Sequence, residues 1–483
     1  MEDILSQHSA LASYRNNSLF TTLPHTADIN ILQNESREPT TEELQNVLGL
    51  QVHEYIHQLH NLSTIAGLQL LTNRLSSLRL FATGADENGH YIRAGKNYKH
   101  VEKSKLENFE RDLNRILGNT GKISQEGFLK FLSFDIFEYS EETDDPTDPC
   151  NMLGIKITYE LAGRKRNINI ENVGYHIITE GIAYEIERQV RNNIAGNNGV
   201  QLEYSTPPFP YRFFRPIVEY LVGRSCSLEE LVKVGTLALQ NKVPSWGLKA
   251  ASLALSHSAE LFLIHAQDVM AEYEKTLEFY KKTVDHLTQS AFEGRAINQG
   301  LTILDGITKK AIAKRVQDPF YELEFVRENL SPEKFLQIIQ DEAFPQRCII
   351  QSKKNEESEE PEEFNGSPIE TEVYWMGSGV MDYTEEMAGS ISTLQCALQY
   401  SQLHLTTQSR FENTSSLGDS TNNHSCPYLN ACPLKEDKSD QDLCSISPWM
   451  HDVGLSDGAV CWYVSGVKSL RNIDPDKYDD EYI

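Results

Sequence analysis

The chain has 483 residues, of which 39% are hydrophobic and 24% are charged. Acidic residues outnumber basic ones by 70 to 44, which gives a formal net charge of −26. Such a charge argues against nonspecific binding to DNA or to a membrane surface, so we expect neither nucleic-acid nor membrane partners. The length alone supports roughly two to four domains.

The start of the chain and its cysteine content argue against a secreted protein. Residues 1–5 lack the basic segment and apolar core of a signal peptide. No stretch approaches the roughly 20 apolar residues that a membrane span needs. The 8 cysteines of so long a chain do not indicate a disulfide scaffold, so we expect a cytoplasmic protein.

The first predicted elements are a strand and a helix. Residues 27–33 partly alternate between apolar and polar, as strands do. The helix is predicted to start near Thr41 and Glu43, and no proline or glycine interrupts residues 51–66. Its apolar residues at helical spacing are Leu44, Val47, Leu48, Val52, Ile56 and Leu59.

This helix contains the HExxH pattern of zinc hydrolases, formed by His53, Glu54 and His57. Histidines at positions i and i+4 lie one turn apart on one helix face and can bind the same Zn²⁺, while the glutamate can reach a zinc-bound water. His60 lies two turns beyond His53, about 10 Å along the axis, so we interpret it as a neighbour of the motif. It also replaces the glycine of the longer metzincin pattern, and Ser63 replaces its third histidine.

A hairpin and a second helix follow. Alternating apolar residues predict strands over 153–159 and 168–170, with a turn at 162–164. The hairpin leads into residues 174–188, where Glu180-Gly181-Ile182-Ala183 stands inside a helical pattern. We expect the small residues Gly181 and Ala183 to let this helix pack closely against the HExxH helix.

Together the two motifs resemble the zinc helices of the gluzincins, the group of thermolysin and the aminopeptidases. The resemblance implies a zincin-like catalytic domain in which His53, His57 and Glu180 hold Zn²⁺ and Glu54 is the general base. Here 122 residues separate His57 from Glu180, whereas in the aminopeptidases the third ligand follows HExxH shortly. His176, one turn before Glu180, is therefore an alternative ligand.

The resemblance also implies groups around the metal. Gluzincins use a Tyr or His to stabilise the oxyanion of the transition state, and our candidates are Tyr175 and His176. Tyr184 and Glu185, one turn beyond Glu180, are candidates for orienting the histidines. Glu185 and Glu187 are the weaker options for the third ligand.

The resemblance, together with breaks in composition along the chain, predicts four parts in an α+β, mostly helical chain. A zincin-like catalytic domain with a small edge sheet is expected over 1–205, and a helical subdomain over 206–350. An acidic linker or loop follows over 351–372. The C-terminal region, 373–483, contains four cysteines within 36 residues, with His424 and His451 nearby. These cysteines are Cys426, Cys432, Cys444 and Cys461.

Clustered thiols in a cytoplasmic protein indicate a second Zn²⁺ or an Fe–S cluster more than disulfides. The spacing C-x5-C-x11-C-x16-C lacks the close cysteine pair of structural zinc sites, which leaves four unrelated thiols as the alternative.

The sequence therefore predicts a zinc metallopeptidase that hydrolyses a protein or peptide substrate. The insertion between the zinc motifs and the extra C-terminal region favour narrow specificity, as in a regulatory, toxin or defence protease. One alternative is a helical interaction or sensor protein whose HExxH is not catalytic and whose function centres on the cysteines. Another is a zinc hydrolase that does not cleave peptides.

Overall fold

Helices dominate the computed structural model of the chain, and two small sheets accompany them, in line with the predicted α+β, mostly helical class. The structure describes residues 13–15, 20–23, 39–92, 99–118, 130–141, 150–161, 164–195, 206, 209–289, 292–327, 330–341, 346–352, 370–376, 385–406, 410–417, 425–429, 443–450 and 461–471.

The helices of these residues are α1 Thr41–Ser63, α2 Ile65–Thr83, α3 Lys99–Leu117, α4 Tyr175–Ala195, α5 Phe214–Val222, α6 Leu228–Leu239, α7 Pro244–His257, α8 Ala259–Gln289, α9 Ala296–Gln317, α10 Glu324–Arg327, α11 Pro332–Asp341, α12 Glu385–Leu403, α13 Thr414–Leu417 and α14 Trp462–Ser469. The strands are β1 Ser13–Arg15, β2 Phe20–Leu23, β3 Lys130–Glu141, β4 Cys150–Leu161, β5 Arg164–Ile170, β6 Gln346–Ser352 and β7 Glu370–Met376.

The predicted hairpin is confirmed as β4 and β5, which pair antiparallel with Ile157 opposite Ile168. β3, which the sequence did not predict, pairs antiparallel with the other edge of β4. A second sheet has the order β1-β2-β6-β7, with β2 and β6 parallel and the other pairs antiparallel. The strand predicted over 27–33 lies outside the described residues.

The helix predicted around HExxH is confirmed as α1, and a capping box fixes its start. The Glu43 amide donates to Thr40 Oγ1 at 3.2 Å, and the Thr40 amide donates to Glu43 Oε2 at 2.7 Å. These bonds satisfy amides that a helix terminus leaves without partners. From Gln51 onward every residue of α1 is buried, so HExxH lies in the interior.

α1 packs along α4, the confirmed second helix, and glycines permit two close approaches around this pair. A Cβ at Gly49 of α1 would lie 2.7 Å from Arg191 Nε of α4. Gly181 has another role than the predicted one, because a Cβ there would lie 2.1 Å from Phe214 Cβ on α5. Gly181 therefore lets α5 pack closely against α4, whereas Gly49 lets α4 pack closely against α1.

A large buried apolar cluster extends along the sequence from Val47 to Leu470. It includes side chains of α1, which carries HExxH, and of α4. It also includes side chains of the central helices and of the C-terminal α12 and α14. The division into four parts stays a prediction. Most of the predicted acidic linker, residues 353–369, lies outside the described residues, and β6 and β7 flank it.

Within the described ranges, no helix combines the length and the apolar character that crossing a bilayer requires.

Candidate metal centre

α1 brings His53 and His57 together as the helical spacing predicts. Their ring centroids lie 4.8 Å apart with an interplanar angle of 72°. Both side chains are buried, at 5% and 6% relative exposure. The two rings thus share one face of α1, which α4 covers.

Glu180 on α4 completes the cluster. Its Oε2 atom lies 3.2 Å from His53 Nε2 and 3.2 Å from His57 Nε2. His176, the predicted alternative ligand, lies less close to the Glu180 carboxylate than the two motif histidines do. Its Nδ1 is 3.8 Å from Glu180 Oε1. Among the described residues, His53, His57 and Glu180 are the only three of the ligating types whose ligand atoms all lie within 4.8 Å of one another.

The donor set fits a Zn²⁺ ion. Bonds of about 2.0–2.1 Å to a tetrahedral zinc place neighbouring ligand atoms about 3.3 Å apart, close to the 3.2 Å between Glu180 Oε2 and each Nε2. Two imidazoles and one carboxylate are also a common protein ligand set of catalytic zinc, which keeps a fourth position open for water or substrate.

The far side of each imidazole ring has its own hydrogen-bond partner. His53 Nδ1 donates to Glu187 Oε2 at 3.0 Å, and Arg191 Nε donates to Glu187 Oε1 at 2.8 Å. His57 Nδ1 lies 3.2 Å from Thr179 Oγ1. With hydrogens on both Nδ1 atoms, the two Nε2 lone pairs would be free to bind a metal beside Glu180.

These outer partners differ from the predicted ones. Glu185 forms an ion pair with Arg215 instead, with Oε2 2.5 Å from Nη2. Glu187, considered above only as a metal ligand, is the residue that contacts His53. The signal was available in the sequence: Glu187 stands seven residues, or two turns, after Glu180 and so shares its helix face.

Opposite charges stabilise one another inside the cluster. Burial disfavours a charged imidazole, but hydrogen bonds and charge from Glu180 and Glu187 raise the pKa of His53 well above its ordinary value. Burial likewise opposes ionisation of Glu180, yet the neighbouring His57 and His53 hold its pKa well below the usual range. The cluster therefore favours bound positive charge, which a proton or a divalent cation supplies.

Tyr211 is the functional candidate that the sequence analysis missed. Its ring centroid lies 5.8 Å from that of His53. The negative charge of Glu180, burial and the charge of Glu54 raise the pKa of Tyr211, so its phenol keeps its proton. Nothing in its spacing distinguishes it among the 21 tyrosines. The predicted Tyr175 packs instead into the main apolar core.

Glu54, the predicted general base, is buried at 4% relative exposure. It follows His53 on α1, and its charge acts on Tyr211. His176 lies at the edge of the cluster, and its side chain is 19% exposed. Glu54, the predicted general base, and His176, the predicted oxyanion donor or alternative ligand, thus lie near the three side chains that could hold a metal.

Two of the described C-terminal cysteines are linked through the backbone. The amide of Cys426 donates to the carbonyl of Cys444 at 2.8 Å. Cys426, Cys444 and Cys461 do not form a ligand group of the closeness found for His53, His57 and Glu180. The other predicted members, Cys432, His424 and His451, lie outside the described residues, so a metal or cluster here stays a prediction.

Comparison with known proteins gives no match: neither a protein family, nor a curated protein, nor a solved structure is detectably similar to this chain.

Proposed function

We propose that the chain is a zinc-dependent metallopeptidase of gluzincin type that hydrolyses peptide bonds in a protein or peptide. The observation that supports this most is the position of Glu180. It is separated from HExxH by 122 residues in the sequence, yet its Oε2 lies 3.2 Å from both Nε2 atoms of the motif. A match to the HExxH pattern alone does not require a carboxylate so distant in the sequence to lie equally close to both Nε2 atoms.

The surrounding fold supports a zincin-like catalytic unit. The two motif-bearing helices α1 and α4 pack against each other, and the three-stranded sheet leads directly into α4. The carboxylate of Glu187 and the hydroxyl of Thr179 contact the far sides of the two histidines. Metal-binding histidines are typically held by such partners.

The chain supplies the proton transfers of the proposed reaction. A zinc ion held by His53, His57 and Glu180 would contribute Lewis acidity, which acidifies water and polarises a carbonyl. Glu54 takes the proton of the attacking water and passes it to the leaving amine. Burial of Glu54 at 4% exposure keeps this transfer away from bulk solvent.

Tyr211 has the properties of a donor to the oxyanion that develops on the carbonyl oxygen. Its ring lies beside His53, and its raised pKa keeps the hydroxyl protonated. A donor that is already oriented in a buried site stabilises the transition state more than it stabilises the substrate. These contacts favour Tyr211 over Tyr175 for this role, and His176 is the second candidate.

The experiment compares the unsubstituted protein with Glu54→Gln. Both are loaded with zinc, their metal content is measured, and they are incubated with a proteome-derived peptide library whose products are read by mass spectrometry. We expect about one zinc per chain in both proteins and new peptide termini only with the unsubstituted one. Equal cleavage by both proteins, or a folded unsubstituted protein that takes up no zinc, would overturn the proposal.

A further inference from the structure

A continuous chain of buried polar contacts extends from His57 away from the candidate metal centre. Thr179 Oγ1 lies 3.2 Å from His57 Nδ1 and 2.6 Å from His60 Nδ1. The other ring nitrogen of His60, Nε2, lies 2.9 Å from Glu322 Oε1. Glu322 in turn forms an ion pair with Arg315 of α9, with 2.6 Å between Oε1 and Nη2.

At the far end of this chain of contacts, it is fixed which atom donates and which atom accepts each hydrogen bond; we call this direction the polarity of the chain of contacts. The side chains of Glu322 and Arg315 are fully buried, and the guanidinium also donates to Ser63 Oγ at 3.0 Å. Arg315 and the hydrogen bond from His60 overcome the burial of Glu322 and hold its pKa below the usual range. An ionised carboxylate can only accept hydrogen bonds, so Nε2 of His60 must carry the hydrogen in that contact.

This polarity passes through His60 to Thr179. Burial lowers the pKa of His60 despite the neighbouring Glu322, which favours the neutral ring. A neutral imidazole with its hydrogen on Nε2 accepts at Nδ1. Thr179 therefore donates its single hydroxyl hydrogen to His60 over 2.6 Å. Its oxygen lone pairs then face His57 Nδ1 and can only accept a hydrogen bond from it.

The two histidines of the motif differ in what their Nδ1 atoms meet. His53 meets the carboxylate of Glu187, which fixes its tautomer directly. His57 meets the hydroxyl of Thr179, and a hydroxyl both donates and accepts. A hydroxyl alone would leave the tautomer of His57 undetermined, whereas metal binding through Nε2 requires the hydrogen on Nδ1.

We propose that His60 and Thr179 are positioning residues that fix the metal-binding tautomer of His57, with the polarity set by the Glu322–Arg315 ion pair. The proposal rests on the proposed zinc site. His60 thus acts on the metal through Thr179 and His57, without being a ligand. Neither residue belongs to the HExxH pattern.

The test uses two substitutions of Thr179 in the full chain. Thr179→Val removes the hydroxyl at nearly constant volume, and Thr179→Ser keeps the hydroxyl but removes the methyl group. Zinc affinity is measured by competition with a chromophoric chelator, and site geometry by the visible absorption of the Co²⁺-loaded protein. We expect a 10- to 100-fold weaker affinity and an altered Co²⁺ spectrum for Val, the range typical of outer partners of metal-binding histidines (about 10–100-fold). Ser should resemble the unsubstituted protein.

A second pair keeps the test decisive if Thr179→Val does not fold. The amide of His60→Gln can still accept from Thr179 and donate to Glu322, whereas His60→Leu can do neither. We expect the Leu variant to lose zinc affinity like Thr179→Val, and the Gln variant to recover most of it. Circular dichroism of the chelated proteins identifies variants that fail to fold.

The outcomes separate the two proposals. An unsubstituted, folded protein that binds no zinc overturns the proposed function and this inference with it. Zinc binding that is equally tight in the Val, Ser, Leu and Gln variants overturns the positioning role alone. Equal weakening by Ser and Val, or by Gln and Leu, assigns the effect to packing and also overturns it.

Discussion

Glu187 Oε2 lies 3.0 Å from Nδ1 of His53, a residue 134 positions earlier in the chain. The other nitrogen of the same ring, Nε2, lies 3.2 Å from Glu180 Oε2. One buried imidazole is therefore placed between two carboxylates from one face of α4. Glu187 fixes the orientation of the His53 ring and the position of its Nδ1 hydrogen. Glu180 lies at the Nε2 side of the ring, where a cation would bind.

Removing the proposed third ligand should greatly weaken metal binding without unfolding the chain. We expect Glu180→Gln to weaken zinc affinity by more than about 100-fold, beyond the loss typical of an outer partner, because a neutral amide replaces the carboxylate. Metal content after dialysis and chelator competition measure this. Glu171→Gln, an exposed carboxylate just before α4, is the control and should bind zinc normally. Retention of one tight zinc in Glu180→Gln would assign the third ligand elsewhere.

The stabilisation that zinc provides should grow with pH. In the chelated protein the pKa of His53 is raised, so its protonation stabilises the fold fully below about pH 6.5, and this contribution disappears as pH rises through the raised pKa. Zinc must displace that proton, so its binding tightens over the same window. The pKa values of Glu180 and Glu187 are lowered, so both carboxylates stay ionised there.

We therefore expect the Tm difference between zinc-loaded and chelated protein to widen as the pH rises above about 6.5, the ordinary pKa of histidine. Differential scanning fluorimetry at matched ionic strength measures it. Glu187→Gln removes one of the groups that raise the pKa of His53 and should make this pH dependence shallower. A difference that is constant or shrinks with pH would contradict the assignment.

Substitution of Tyr211 should lower the turnover rate and leave the zinc affinity unchanged. Tyr211→Phe removes the hydroxyl but keeps the ring beside His53, so we expect kcat to fall about 100- to 1,000-fold, as when one oxyanion donor is lost. Zinc affinity should be unchanged. Tyr220→Phe, on the exposed part of α5, is the matched control, since its side chain is 63% exposed. Full activity of Tyr211→Phe would transfer the donor role to another residue, with His176 as the next variant.

Gly181 should be a packing position whose substitution destabilises the fold. An added Cβ would lie 2.1 Å from Phe214 Cβ, which is fixed to the α5 backbone and cannot rotate away. We expect Gly181→Ala to lower the free energy of unfolding by at least about 1–3 kcal/mol. Urea denaturation followed by circular dichroism measures it.

Gly306 offers the matched control for this substitution on α9. A Cβ at Gly306 meets nothing within 4 Å, so Ala there should stabilise by about 0.4–1 kcal/mol through a less flexible unfolded chain. If Gly181→Ala raises stability as Gly306→Ala does, helix propensity rather than the contact with Phe214 governs Gly181.

The sequence by itself determined the features that depend on local periodicity. Helical spacing fixed α1 and the common face of His53 and His57, and alternation fixed the hairpin of β4 and β5. Glu180 was predicted as a metal ligand from the motif around it, and the helix predicted there is confirmed as α4. These features could be predicted because each depends on residues a few positions apart.

Only the tertiary structure decided which distant side chains meet. The Glu187–His53 contact, the ring of Tyr211 beside His53 and the chain of contacts through Thr179 and His60 depend on how separate elements pack. Glu322 reaches His60 across 262 positions of sequence. Such contacts have no period in the sequence, because they follow from the burial of apolar surface along the whole chain, which fixes how α1, α4 and α9 pack.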